Sequence, residues 1–269
     1  MSRGLCNGVT LLALTYLRFP WAECAKQRYY WHVQITIHNL WMLAALSCGA
    51  FISFAIPPRV LAQVGVVRTI EGKVSVFSGK PECAPRYGLD LDEGDAVRTG
   101  EKSWALLTMM DGAKITVRPD TEVRIDAYRY TEAGESSQNH ALFTLTRGAM
   151  RVAAGRIANG RNTGFVVQTP AASMDMRGAD QDVAYIAPQF TPRGDALVGA
   201  YGKSYAGIAV MKNATGAVTI RDGQTAYAEP RVRKPPQILV SDPYFYHWHS
   251  YIDRRAAAVI ERLESGDVQ

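Results

Sequence analysis

From Val64 onward, apolar and polar residues alternate with a period of two. "VGVVRTIEGKVSVFS" places strand-like segments on either side of Glu71-Gly72, and "WALLTMM" and "AKITVRP" do the same around Asp111-Gly112. "EVRIDAYRY", "NHALFTLTRGAMRVAAG", "TGFVVQTP", "QDVAYIAP" and the long run from Ala196 to Ala228 continue the pattern, and no helical period appears before about Arg233. This predicts an all-β body; turns every 8–12 residues or so suit a sandwich, a barrel or a solenoid equally well. The period then changes. In "DPYFYHWHSYIDRRAAAVIERLESG", Phe245, Trp248, Ile252, Val259, Ile260 and Leu263 recur at three-and-four spacing, with Asp242 placed to cap and Pro243 at the first helical position. The expected organisation is a β domain over 63–228, a basic proline-rich linker over 229–241 and an amphipathic helix over 242–265 that packs on the β-body or on a second copy.

Residues 1–62 stand apart. Leu40 to Ile56 is apolar except for Ser47 and Ser53, and Val60 and Ala62 place small residues where a signal peptidase reads, so cleavage would leave Gln63 as the new N-terminus. Left uncut, the same segment is a membrane anchor, with basic residues on its N-terminal side. Both readings export residues 63–269 to a periplasmic or secreted location, and membrane contact is expected only if 40–56 is uncleaved. Cys48 fits a lipoprotein site poorly. The formal charge of +5 gathers in this N-terminal stretch and leaves the body nearly neutral, which argues against a nucleic-acid partner. Cys6, Cys24 and Cys48 precede the body, and Cys83 by itself forms no internal bridge.

The motifs favour architecture over chemistry. Asp111-Gly112 fits a two-residue type I′ turn, with Lys114, Thr116, Arg118 and Met109 on alternating faces of one hairpin. "GAYGKS" has Leu197 where a phosphate-binding loop needs glycine, and reads as a strand turn. No nucleophile elbow or zincin helix occurs, and His247 and His249, two apart on a helix, read as surface or packing residues. A catalytic set would have to converge from separate strands, for instance Asp111, Asp175 and His140. The expectation is a non-enzymatic module, without catalytic residue, cofactor or metal. Its partner would be another envelope protein or a glycan, with Tyr128, Tyr130, Tyr201 and Tyr205 as candidate contact residues.

Taken together, Gly94-Asp95, Thr99-Gly100, Asp111-Gly112, Leu145-Thr146-Arg147-Gly148, Thr169-Pro170 and "MRGADQDVAY", which holds Gly178, resemble the FecR domain from about Val64 to Tyr185. The downstream "YAGIAVMKN" and "GAVTIRDGQTAYA" are similar to closing segments seen in such proteins. Ala113 stands where the family has Ser, and Ala179 where it has Thr. The resemblance implies an extracytoplasmic all-β fold of stacked, twisted sheets, solenoid- or sandwich-like, in which Gly94, Asp95, Thr99, Gly100, Asp111, Gly112, Gly148, Thr169, Pro170 and Gly178 are structural. It also implies, as the alternative to a scaffold, a membrane-anchored regulator of an extracytoplasmic-function sigma factor. The residues ahead of the apolar segment are short for an anti-sigma bundle.

Overall fold

The computed structural model describes residues 63–77, 85–132, 139–160, 164–189, 196–231, 234–243 and 245–266. The signal or anchor segment and Cys83 lie outside them. The first seven strands are β1 (Gln63–Glu71), β2 (Val74–Phe77), β3 (Asp90–Asp92), β4 (Ala96–Thr99), β5 (Trp104–Met109), β6 (Lys114–Val117) and β7 (Glu122–Arg129). Then come β8 (His140–Ala153), β9 (Phe165–Gln168), β10 (Ser173–Ile186), β11 (Gly199–Asn213), β12 (Gly216–Ile220), β13 (Thr225–Ala228) and β14 (Gln237–Ile238). One helix, α1 (Phe245–Ser265), follows.

All these strands join one sheet, which is not closed. Three long strands change neighbours halfway along and so fold it into two layers. The first layer runs β3, β1, β5, β6, then the C-terminal half of β8, the C-terminal half of β10, the N-terminal half of β11, β13 and β14. The second runs β2, β4, β7, then the other halves of β8, β10 and β11, with β9 between β8 and β10 and β12 outside β11. Only the β8–β9 pair among these is parallel.

Glycine marks the corners. Gly148 has φ 81° where β8 exchanges β7 for β10, and Gly178 and Gly207 face each other across a bulge in the β10–β11 ladder with φ 113° and 101°. A Cβ on Gly178 would stand 2.7 Å from the Gly207 Cα, so the two backbones meet at a distance that no other residue pair allows.

Alternation sorts the first layer's side chains. Ala105, Leu107, Ile115, Val117, Met150, Val152 and Val183 turn inward and meet Val97, Ile125, Phe143, Val167, Met174 and Met211 of the second layer in one core. Phe143 stacks on Phe165 at 5.3 Å within it. Each such fully buried side chain contributes about 1.5–3 kcal/mol of burial. The intervening residues face outward, where α1 lies. Ile252 and Ala256 pack on Trp104 and Leu106, with Val259, Ile260 and Leu263 closing the cluster. Four of the residues expected in the helical stripe thus face the β-body.

The Asp111 turn differs from the two-residue form. Met109 N–H donates to Ala113 at 2.8 Å and Gly112 N–H to Met109 at 3.0 Å; Gly112 has positive φ and Asp111 does not. This is a three-residue loop with glycine in the left-handed position. Lys114, Thr116 and Arg118 share the outer face, because they are two apart on one strand and its extension, while Met109 is inward.

Candidate functional site

A row of directly opposed residues crosses the outer face of the first layer. Thr69, Leu106, Thr116, Arg151, Asp182, Lys203 and Thr225 pair in register from β1 to β13. Charge alternates along its second half, the arrangement that stabilises opposed side chains on a sheet. Arg118, just past β6, lies beside this row and is wholly buried. Its Nη1 is 2.6 Å from Asp182 Oδ2 and 3.1 Å from His249 Nδ1. Its Nε and Nη2 donate to Asp253 at 2.9–3.1 Å. Arg151 grips Asp180 with Nε at 2.8 Å and Nη2 at 2.5 Å, and its Nη1 donates to Asp253 Oδ2 at 3.0 Å. Asp253 of α1 is therefore a carboxylate seated in a socket of two arginines, each already held by a carboxylate of β10.

Three carboxylates meet two guanidiniums here, so the cluster carries surplus negative charge. Burial pushes the Asp182 carboxyl up to about 6, the Arg118 charge opposing and the Asp253 charge adding. Asp182 Oδ1 is buried without a hydrogen-bond partner. Burial by itself would lower the Arg118 pKa, but Asp182 and Asp253 raise it above its ordinary value. His249 is driven well below its usual range by burial and then by the Arg118 charge. Since a guanidinium only donates, His249 Nδ1 is the acceptor and the ring is neutral.

Around the cluster, Arg151 lies 4.2 Å and Lys203 4.9 Å from the Tyr205 ring centroid, and the Tyr205 hydroxyl is 3.4 Å from Asp182 Oδ2. Asp242, ahead of the helix, accepts from Lys203 and from Thr225 Oγ1, tying the linker to the sheet. Glu71 accepts from Trp104 Nε1 at 2.9 Å and from Arg255 at 2.6 Å, and Lys114 pairs with Glu264 at the far end of the helix. Two solvent-open grooves of about 350 and about 300 Å³ run along the seam of α1 and the sheet, and Asp253 lines both. Among the described residues, no three His, Cys, Asp or Glu side chains are grouped to hold a metal ion.

The residues singled out in the sequence lie elsewhere. Asp111 is buried, not a surface turn residue: Oδ1 accepts from Ala113 N–H at 2.9 Å and the Tyr128 hydroxyl at 2.5 Å, and Oδ2 accepts from Ile157 N–H at 3.0 Å. It staples the loop after β8 to the β5–β6 hairpin. Asp175 and His140 stand on β10 and β8 with β9 between them, so the trio with Asp111 is not assembled. Asp95 caps the turn at Gly94 by accepting from Asp92 N–H at 2.9 Å. Thr99 Oγ1 donates to Arg118 O at 2.5 Å and Gly100 N–H donates to Lys73 O at 2.8 Å. Thr169 Oγ1 closes the Pro170 turn by donating to Ala172 O at 2.7 Å.

Of the four tyrosines proposed as contacts, Tyr128 and Tyr201 are buried instead. "GAYGKS" is the first half of β11 and no turn. The side chain of His247 lies outside what is described, and His249 is a packing residue bonded to Arg118. One signal in the sequence points to the Arg118 cluster, charged residues at the outward positions of strands otherwise rich in apolar residues. It does not give the partners, which come from β8, β10, β11 and α1.

No curated protein matches the chain. Two crystal structures of a protein from Parabacteroides distasonis described as a candidate anti-sigma factor, at 2.50 and 1.65 Å resolution, are similar to it at 12% and 14% identity with a TM-score of 0.39. The similarity covers 54% of this chain and 57% of theirs. Residues 95–191 match the family described as FecR protein, and Arg118, Arg151, Asp180 and Asp182 of the helix socket all lie within the matched stretch.

Proposed function

We propose that residues 63–266 form a protein-binding module of a regulator-type protein, exported from the cytoplasm, that holds a partner and does not turn over a substrate. The FecR match supports the regulator-type role. The observation that carries the binding reading is the outer face of the first layer, a charged and apolar seat across six strands that accepts a helix in the chain itself. The ionisable groups gathered there pair with one another at 2.6–3.1 Å under α1, which suits recognition of a charged side chain more than proton transfer to a small molecule.

Photo-crosslinking from Tyr251 and Leu197, both exposed, in intact cells tests this. One discrete crosslinked protein is expected, with Gln63 as the mature N-terminus. Turnover of ester or cell-wall substrates by the purified chain sinks the non-enzymatic part. The membrane-anchored sigma-factor regulator remains the second reading, and it requires that the protein resist extraction from membranes with residues 1–62 still attached.

A further inference from the structure

We propose that β14 is a dimerisation edge: it pairs antiparallel with β14 of a second copy of this chain across a two-fold axis, joining the first layers of two molecules into one continuous sheet. The pairing needs no movement of α1 and goes beyond the binding-module reading.

The two ends of the first layer meet water differently. β3 ends it with Asp90 and Asp92, next to Glu93, and its ladder to β1 is bulged between Gln63 and Gly65. Charges and bulges of this kind keep an edge from pairing. At the other end, Gln237-Ile238-Leu239-Val240 carries no charge, and Ile238 and Val240 are exposed, Val240 wholly. Leu239 N–H donates to Thr225 O at 2.8 Å and Gln237 pairs with Tyr227, so alternation turns the N–H and C=O of Ile238 away from β13. Among the described residues, β13 is the one strand that pairs with β14. The result is an apolar edge with outward backbone groups and none of the protection given to β3.

Charge and symmetry select a second copy as its occupant. Arg231 and Lys234, both exposed, bound the edge on its N-terminal side, and Asp242 bounds it on the C-terminal side. Antiparallel pairing about a two-fold sets the basic end of each copy against the acidic end of the other, so one complementary contact is made twice. With Ile238 opposite Val240 of the second copy, Lys234 lies diagonal to the second Asp242, a spacing that a long side chain spans. Pro235, Pro236 and Pro243 then fall at the ends of the paired stretch, where a missing N–H interrupts no ladder. Asp242 keeps its bonds to Lys203 and Thr225, because a carboxylate has room for further donors. So short an edge makes a weak dimer, with a dissociation constant on the order of 100 µM.

The test is sedimentation equilibrium of the full chain in mild detergent, up to roughly 500 µM, a few times the expected dissociation constant. It is joined to photo-crosslinking from Val240 in cells that make two differently tagged copies. A reversible monomer–dimer equilibrium and a crosslink uniting the two tags are expected. Val240→Lys places like charges across the axis and should weaken the dimer about tenfold or more. Lys234→Glu sets an acid near the second Asp242 and should weaken it about threefold, by a margin that shrinks in high salt. Both positions are exposed, so neither variant disturbs the fold. A chain that stays monomeric throughout overturns the proposal, and so does a dimer that survives Val240→Lys, which is held elsewhere. A Val240 crosslink to a different protein alone gives the edge to another chain and overturns the self-pairing.

Discussion

Arg118 has no contact with solvent, yet it faces two carboxylates and a neutral imidazole, and the balance among them sets what each substitution does. Arg118→Met leaves Asp182 buried without its cation, and a loss of about 3–5 kcal/mol is expected in urea unfolding. The double variant Arg118→Met/Asp182→Leu should recover most of it, because a buried ion pair replaced on both sides by apolar groups costs little. The pH dependence follows from two opposed groups. His249 has a lowered pKa in the fold, so its contribution to stability is lost as pH falls below its ordinary 6.5. Asp182 is raised from 3.8 to about 6, so its contribution is present below 3.8 and lost as pH rises through 6. The two offset each other in the parent between about pH 6.5 and 4. His249→Gln keeps an acceptor for Arg118 but does not titrate, and its melting temperature should rise on going from about pH 7 to 5 relative to the parent. An unchanged difference between the two proteins over that range contradicts the neutral His249.

At the scale of elements, α1 is attached by its side chains to strands far away in sequence, so it is expected to come loose before the sheet unfolds. In Asp253→Ala, hydrogen exchange should show α1 amides losing protection while those of β8 and β10 keep theirs; equal loss in both means that helix and sheet form one cooperative unit. The existence of α1 was legible in the sequence, since Ile252, Val259, Ile260 and Leu263 recur at helical spacing. Its docking site was not, because alternation tells which residues face outward and says nothing of what covers them. Asp111 shows the same limit from the other direction. An Asp-Gly pair between two strands signals a turn, but the partners that bury its carboxylate, Tyr128 and Ile157, belong to another strand and another loop.

Across the whole molecule, the layering depends on three strands long enough to serve both sheets, and these are bent where Gly148, Gly178 and Gly207 stand. The sequence pattern showed both halves of β8 and β11 and the C-terminal half of β10 as strand, while their change of neighbours is a property of pairing that no local period encodes. Gly178→Val should destabilise the domain by about 3 kcal/mol, through a φ that a β-branched residue does not adopt and a clash with Gly207. For a domain of this size that is a fall in melting temperature on the order of 6–12 °C; a variant that melts with the parent shows that the corner adapts. The place of α1 in the chain has a consequence for assembly. It follows every strand, so a nascent chain emerging from its N-terminus brings β6, β8 and β10 together while Arg118 and Asp182 still face water. The cost of drying that cluster is deferred until the final element arrives. Until then the charged row stays hydrated, and the same residues become interior only when α1 docks on them.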